Sequence, residues 1–253
     1  LDTKGNNNGT NNGAAFSTGR VGQAFDFNGN AGNFVSAGTA LLNAGAADFA
    51  VEFWIQTSNN RLEQIISKRN GCTTGEPPFF SVRKLPDGRL SVVFDNAVGQ
   101  QVLFNSTFAI TDGAFHHIAV QRSGNAVQLY IDGILNNSAT GAAAINLTNS
   151  GQFSIGGSGC AGIDGTQTFT GKIDEVSVYN RALTQAEIQS VFYAGGDGKC
   201  NSTACVQTPN NLVSWYAGEQ NALDSRSNNH GILQNGATFQ IGKVGQGIKF
   251  DGA

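Results

Sequence analysis

Apolar and polar positions alternate along a series of short runs. The clearest are residues 49–57 (FAVEFWIQT), 63–68, 79–85, 89–95, 115–122 (FHHIAVQR), 126–132 (AVQLYID) and 171–180 (GKIDEVSVYN). A period of two sends successive side chains to opposite faces, so each run predicts a strand with at least one buried face. Between them, Asp87-Gly88 and Asp132-Gly133 put glycine where a tight hairpin needs a positive φ. Short strands separated by such turns predict an all-β chain, a two-sheet antiparallel jelly-roll sandwich. One segment departs from the pattern. In Leu183-Thr184-Gln185-Ala186-Glu187-Ile188, Thr184 and Glu187 have capping-box spacing, and Leu183 and Ile188 that of a hydrophobic staple. Val191 and Phe192 continue the apolar face and Gly195 supplies a left-handed end, so a short helix follows the last strand.

The opening of the chain recurs near its end. Leu1, Asp2, Asn6, Asn7 and Gly9 reappear as Leu223, Asp224, Asn228, Asn229 and Gly231. After one inserted residue, Phe16, Val21, Gly22, Gln23 and Phe27 reappear as Phe239, Val244, Gly245, Gln246 and Phe250. The second copy is preceded by residues 212–222 (LVSWYAGEQNA), a strand-like run whose counterpart would lie before Leu1. The expected organisation is a module over 1–198 lacking its first strand, a Cys-containing linker over 199–210, and the opening strands of a second copy over 211–253. A sheet short of one strand presents a row of unpaired N–H and C=O groups. A chain without Met is expected to be a piece of a longer, repetitive parent.

Charged residues make up 13% and the net charge is −3, with no basic run, which excludes a phosphate-tracking surface for nucleic acid. No window reaches the roughly 18 apolar residues of a membrane-spanning helix. The four cysteines, Cys72, Cys160, Cys200 and Cys205, form no CxxC and have no histidine at zinc-finger spacing. An even set in a low-charge chain points to disulfides and an extracellular or cell-surface location, with buried free thiols as the alternative. A bridge between Cys72 and Cys160 would pin two loops at one rim, and Cys200 with Cys205 would close a small ring at the exit from the module.

The segments FHHIAVQRSGNAVQLYIDG and GKIDEVSVYNRALTQAEIQSVFYAG, with the opening VGQAFDFNG, resemble laminin-G-like (concanavalin-A-like) jelly-roll modules of bacterial extracellular tandem-repeat proteins. The resemblance implies two face-to-face antiparallel sheets and binding of a glycan or extracellular matrix rather than catalysis. It also implies a structural Ca2+ where the first loop meets the last strand, which here means Asp2 and Asp174. Calcium takes 6–8 oxygen ligands, and the loop from Asp2 to Gly9 is rich in them. The competing reading is that these side chains cap turns through Asx-type hydrogen bonds.

Glycosidases on this fold carry paired carboxylates on one strand, usually as E-x-D-x-E, and no such triplet occurs. Glu52 stands alone, and Asp174-Glu175 are strand neighbours that point apart. The same parity predicts that His116 and His117 do not share a metal, one lying inside the sandwich and one at its surface. Phe79, Phe80, Asp95, Asn96 and Asp164 lie at strand ends or loops near the Cys72–Cys160 rim. They are the candidate sugar-binding residues, against a role in core or turns. Two functions follow: a non-catalytic adhesive module, or a fibre subunit. In the second, other copies of the chain donate residues 212–222 head to tail to the edge left by the missing strand.

Overall fold

Residues 49–56 show how alternation becomes architecture. Val51, Phe53 and Ile55 enter the main core, whereas Ala50 turns to the other side and packs with Ala119, Tyr130, Leu183 and Ile188. The computed structural model describes residues 7–72, 78–96, 101–199, 237–241 and 246–249. In chain order its elements are β1 (Thr10–Asn12), β2 (Ala15–Thr18), β3 (Gln23–Asn28), β4 (Phe34–Ser36), β5 (Phe49–Gln56), β6 (Glu63–Arg69), β7 (Phe79–Lys84), β8 (Arg89–Asp95) and β9 (Gln101–Ala109). There follow β10 (Phe115–Ser123), β11 (Ala126–Ile131), β12 (Ile134–Thr140), β13 (Gln152–Ile155), β14 (Gln167–Thr168), β15 (Thr170–Tyr179), the helix α1 (Gln185–Ala194), β16 (Thr238–Ile241) and β17 (Gln246–Lys249).

Two large sheets account for the first fifteen strands. One runs β1-β4-β13-β6-β7-β8-β9 with β14 parallel to β6; the other runs β12-β11-β10-β5-β15-β3-β2. Apart from β14, every pairing within them is antiparallel. The chain is therefore mostly β, with one short α-helix among the described residues, as the alternation predicted. All seven predicted strands form, with ends within one residue of expectation. The two hairpin turns carry positive φ at Gly88, Asp132 and Gly133. Between the sheets, Phe49, Phe80 and Phe94 stack or meet edge to face at 5.3–5.5 Å. Three long cations reach into this interior because their ends find backbone acceptors. Arg122 donates to the carbonyls of Ala47, Ile145 and Gly45, and Lys68 to that of Gly151. Lys84 meets Glu63, both side chains being wholly buried.

The helix begins as its sequence requires. Glu187 N–H donates to Thr184 Oγ1 at 3.2 Å, and Thr184 N–H donates to Glu187 Oε2 at 2.8 Å. Leu183 and Ile188 are buried together over the second sheet, and Gly195, at φ 53°, turns the chain into a 3-10 turn. No described helix is long and apolar enough to cross a membrane.

The chain divides into two units, residues 1–188 and 189–253. In the first, Phe16 stands opposite Phe25 and Ala15 opposite Asp26. In the second, Phe239 stands opposite Ile248 and Thr238 opposite Lys249. The duplicated sequence thus folds into the same hairpin at the same register. Residues 212–222 and most of 211–253 lie outside the described residues, as do Asp2, Cys200 and Cys205. On β15, β3 pairs with Thr170–Ile173, while β5 pairs on the other side as far as Tyr179.

Candidate functional site

The site is built on the outward side of β6, β7 and β8. In β7, Phe80 and Val82 point into the core, so Phe79, Ser81 and Arg83 point away from it. Phe79 stands opposite Asp95 on β8, which stands opposite Gln101 on β9 and accepts its amide at 2.8 Å. Arg69, the last residue of β6, lays its guanidinium 4.7 Å from the Phe79 ring centroid, with that of Arg83 at 6.0 Å. Both distances lie within cation–π reach.

Asp164 arrives from a distant loop. Its Oδ2 lies 2.6 Å from Arg69 Nη1 and 3.8 Å from Arg83 Nη2, and its Oδ1 accepts from Thr166 Oγ1 at 2.6 Å. The loop is held there by the Cys72–Cys160 disulfide, with Cα atoms 5.1 Å apart, and Arg69 Nε donates to the Gly71 carbonyl beside it. Below this corner runs a row of hydroxyls, Ser81, Ser67, Ser154 and Ser36, registered across four strands. The patch brings one aromatic ring, two guanidiniums and two carboxylates together over this row of buried hydroxyls, with the Arg69 and Asp164 side chains themselves nearly buried against each other. Its charges balance, which suits a neutral polyhydroxylated ligand better than a strongly ionic one.

Of the predicted ligand residues, Phe79, Asp95 and Asp164 come together here, and Asn96 follows Asp95 at the end of β8. Phe80 does not. It is 1% exposed, with its ring against Phe49 and Phe94, because adjacent strand residues face opposite ways. Arg69 and Arg83 escaped the sequence reading, although Arg83 shares the parity of Phe79 and Ser81 and Arg69 directly follows the strand predicted over 63–68.

Asp174 is 4% exposed and accepts two backbone N–H groups, Val21 at Oδ2 (2.8 Å) and Glu175 at Oδ1 (2.9 Å). It thereby fastens the turn closed by Gly19 N–H to Gly22 O, the capping geometry of the competing reading. Among the described residues no group of three or more His, Cys, Asp or Glu side chains is arranged to hold a metal, and Asp2 lies outside them. Glu175 has φ 51° at a bulge in β15, so alternation is interrupted at that point.

The histidines separate, though not as parity was first applied. His117 is fully buried on the side of its sheet away from the main core, its Nε2 2.9 Å from Glu52 Oε2. Tyr179 OH donates to Glu52 Oε1 at 3.0 Å, and burial together with the Glu52 charge pushes the phenol up. The correction follows from Ile118 and Val120, which take the inward positions and send His117 outward. His116 sits between Asp132 (2.8 Å) and Asp112 (3.1 Å); the hydrogen bond to Asp132 raises it against the opposing effect of burial. Glu52, fully buried in this network, is not presented to a substrate. At the other end of β6 a groove of about 250 Å3 is lined by polar groups that include Asp26, Gln56, Asn59 and Lys172.

The fold has relatives among solved structures. It is similar to the binding domain of Paraclostridial Mosquitocidal Protein 1 (TM-score 0.62, 18% identity, 75% of this chain and 48% of that one). It is also similar to the binding domain of botulinum neurotoxin serotype G (TM-score 0.58, 13% identity, 76% and 47%). A third is domain 4 of AbnA, an extracellular arabinanase from Geobacillus stearothermophilus solved with arabinotriose (TM-score 0.56, 19% identity, 72% and 86%). The chain spans about half the length of the two toxin domains, and no curated protein matches it. The family model described as "Concanavalin A-like lectin/glucanases superfamily" matches residues 28–189, and the chain belongs to that family.

Proposed function

We propose that this chain is a non-catalytic, extracellular carbohydrate-binding module whose ligand lies across Phe79, Asp95 and Asp164. The observation that carries the reading is the convergence of an outward aromatic ring, two guanidiniums and two carboxylates on one side of a sheet. Sugars are recognised by apolar contact of their C–H faces with a ring and by hydrogen bonds to planar polar groups around it. The two similar toxin binding domains, and the arabinanase domain solved with arabinotriose, support the same reading. Glycan-array screening followed by titration with arabino-oligosaccharides and sialylated glycans tests it. Phe79→Ala and Asp164→Asn should each weaken binding about tenfold, roughly 1.4 kcal/mol. Silence across the array, or unchanged affinity in both variants, refutes it.

Calcium belongs to this proposal through Asp2 and Asp174. A chelator should then lower the melting temperature of the wild-type chain, and no effect ends the calcium reading. A second reading, the fibre subunit, draws support from the duplicate hairpins, two sequences in one chain with the same fold and register. Exchange of 212–222 between copies predicts concentration-dependent oligomers in size-exclusion with light scattering. A monomer at all concentrations eliminates exchange.

A further inference from the structure

Lysine rarely occupies an inward strand position, because its ammonium loses solvation there. Lys84 does so on β7, beside Val82 and opposite Leu90, with its side chain wholly buried. Its Nζ lies 2.8 Å from the side-chain carbonyl Oδ1 of Asn59, in the loop before β6. Glu63 stands between the two reacting nitrogens: Oε2 is 3.3 Å from Lys84 Nζ and accepts from Asn59 Nδ2 at 3.2 Å. An amine, a primary amide and a carboxyl group are thus in mutual contact, with Glu63 also wholly buried. Further hydrogen bonds hold the pair still. Nζ donates to the Asn59 and Arg61 carbonyls, and Asn59 Nδ2 to Thr57 Oγ1 and the Thr170 carbonyl.

We propose that Lys84 and Asn59 form an intramolecular isopeptide crosslink, with Glu63 relaying the proton. Transfer of one ammonium proton to Glu63 leaves a neutral amine and a carboxylic acid. The Nζ lone pair then forms a bond to Asn59 Cγ as the Cγ–Nδ2 bond breaks. The acid returns its proton toward Nδ2, a second Nζ proton follows, ammonia leaves as ammonium, and Glu63 is again a carboxylate. Atoms and charge balance without oxidant or cofactor.

The surroundings favour the first transfer. Burial pushes the Lys84 ammonium down, with the Glu63 charge acting in the opposite sense. The charge of Arg61, 3.9 Å from Glu63 Oε1 and 44% exposed, adds a smaller push on Lys84 in the same direction as burial. Asn59 is half-buried and lines the 250 Å3 groove, which gives ammonia a way out. Holding reactants in contact supplies much of an uncatalysed barrier, so a slow amide exchange needs no further machinery.

Intact-mass measurement of the folded wild-type chain tests the crosslink. After correction for disulfide hydrogens, its mass should fall short of the sequence mass by one ammonia. A tryptic digest should lack cleavage after Lys84 and contain a branched peptide joining residues 21–61 to 84–89. Glu63→Gln keeps both partners and should restore the full mass and the cleavage. A wild-type chain of full mass, cleaved normally after Lys84, overturns the proposal. So does an ammonia deficit without the branched peptide, which would mark a cyclic imide at Asn59-Asn60. These outcomes do not depend on glycan binding.

Discussion

Removing the Cys72–Cys160 bridge tests whether the corner bearing Phe79 is held by a covalent staple. The cysteines are 88 residues apart, and between them lie β7 through β13. In the chain-entropy model, opening a loop of that length relaxes the unfolded state by about 4.5 kcal/mol at 25 °C. For a domain of this size each kcal/mol moves the midpoint by about 2–4 °C, so Cys72→Ala/Cys160→Ala should melt about 10–15 °C lower. The denaturant slope should rise, because the unlinked chain exposes more surface on unfolding. Function should respond separately. Asp164 sits four residues beyond Cys160, and its position between Arg69 and Arg83 depends on the loop the bridge anchors. The double variant should lose glycan affinity even at temperatures where it is fully folded. Urea melts with and without reductant, alongside titrations at 15 °C, read both effects. A midpoint shift equivalent to less than about 1 kcal/mol would refute the staple argument. Unchanged affinity with lowered stability would show that Asp164 is placed without it.

Other predictions are narrower. Gly156→Ala, at φ 78°, would drive a methyl into the Phe27 ring while straining the backbone; chemical denaturation should show a loss of about 3 kcal/mol. Thr184→Ala removes the acceptor for the Glu187 N–H and should cost about 1 kcal/mol in the same assay. His116 gives a pH signature. Its native value is raised above the ordinary 6.5, so its contribution is complete below that pH and lost as pH rises through the native value. Melts of wild type and His116→Gln should therefore converge toward alkaline pH; a constant difference from about pH 5 to 9 would exclude the charged His116–Asp132 contact.

Much of the scaffold was legible because burial on a sheet is a period-two signal. It was clearest in β5 and β10, where inward Val51, Phe53, Ile118 and Val120 leave little choice of register. Strands such as β1, β4 and β14 were invisible, since two or three residues carry no period. The error at Phe80 has a similar origin. Two adjacent phenylalanines look alike in composition, and only Val82 on one parity and Ser81 with Arg83 on the other distinguish them. The meeting of Asp164 with Arg69 depends on a long-range closure that no local pattern encodes, although the cysteine count hinted at it. Lys84 was legible as an anomaly, a cation on the parity of Phe80 and Val82. Its partner was not, because Asn59 lies in a loop whose return to β7 is set by packing.

These contacts together explain why the candidate ligand surface sits where it does. The outward side of the β5 sheet is committed to structure at Ala50, Ala119 and Tyr130, where Leu183 and Ile188 cover it, and at the buried Glu52–His117–Tyr179 network. The outward side of β6 and β7 instead carries Phe79, Arg69 and Arg83, and that ribbon is fastened at both ends. At one end Cys72 follows β6 and is tied to Cys160; at the other Lys84, the last residue of β7, is clamped to Asn59, Arg61 and Glu63. A ribbon fixed at its two ends cannot shift register or splay to meet a ligand, so little ordering remains to be done on binding. Loosening either fastening should therefore weaken affinity in proportion to the motion it admits at Phe79, even though neither fastening is among the proposed ligand residues.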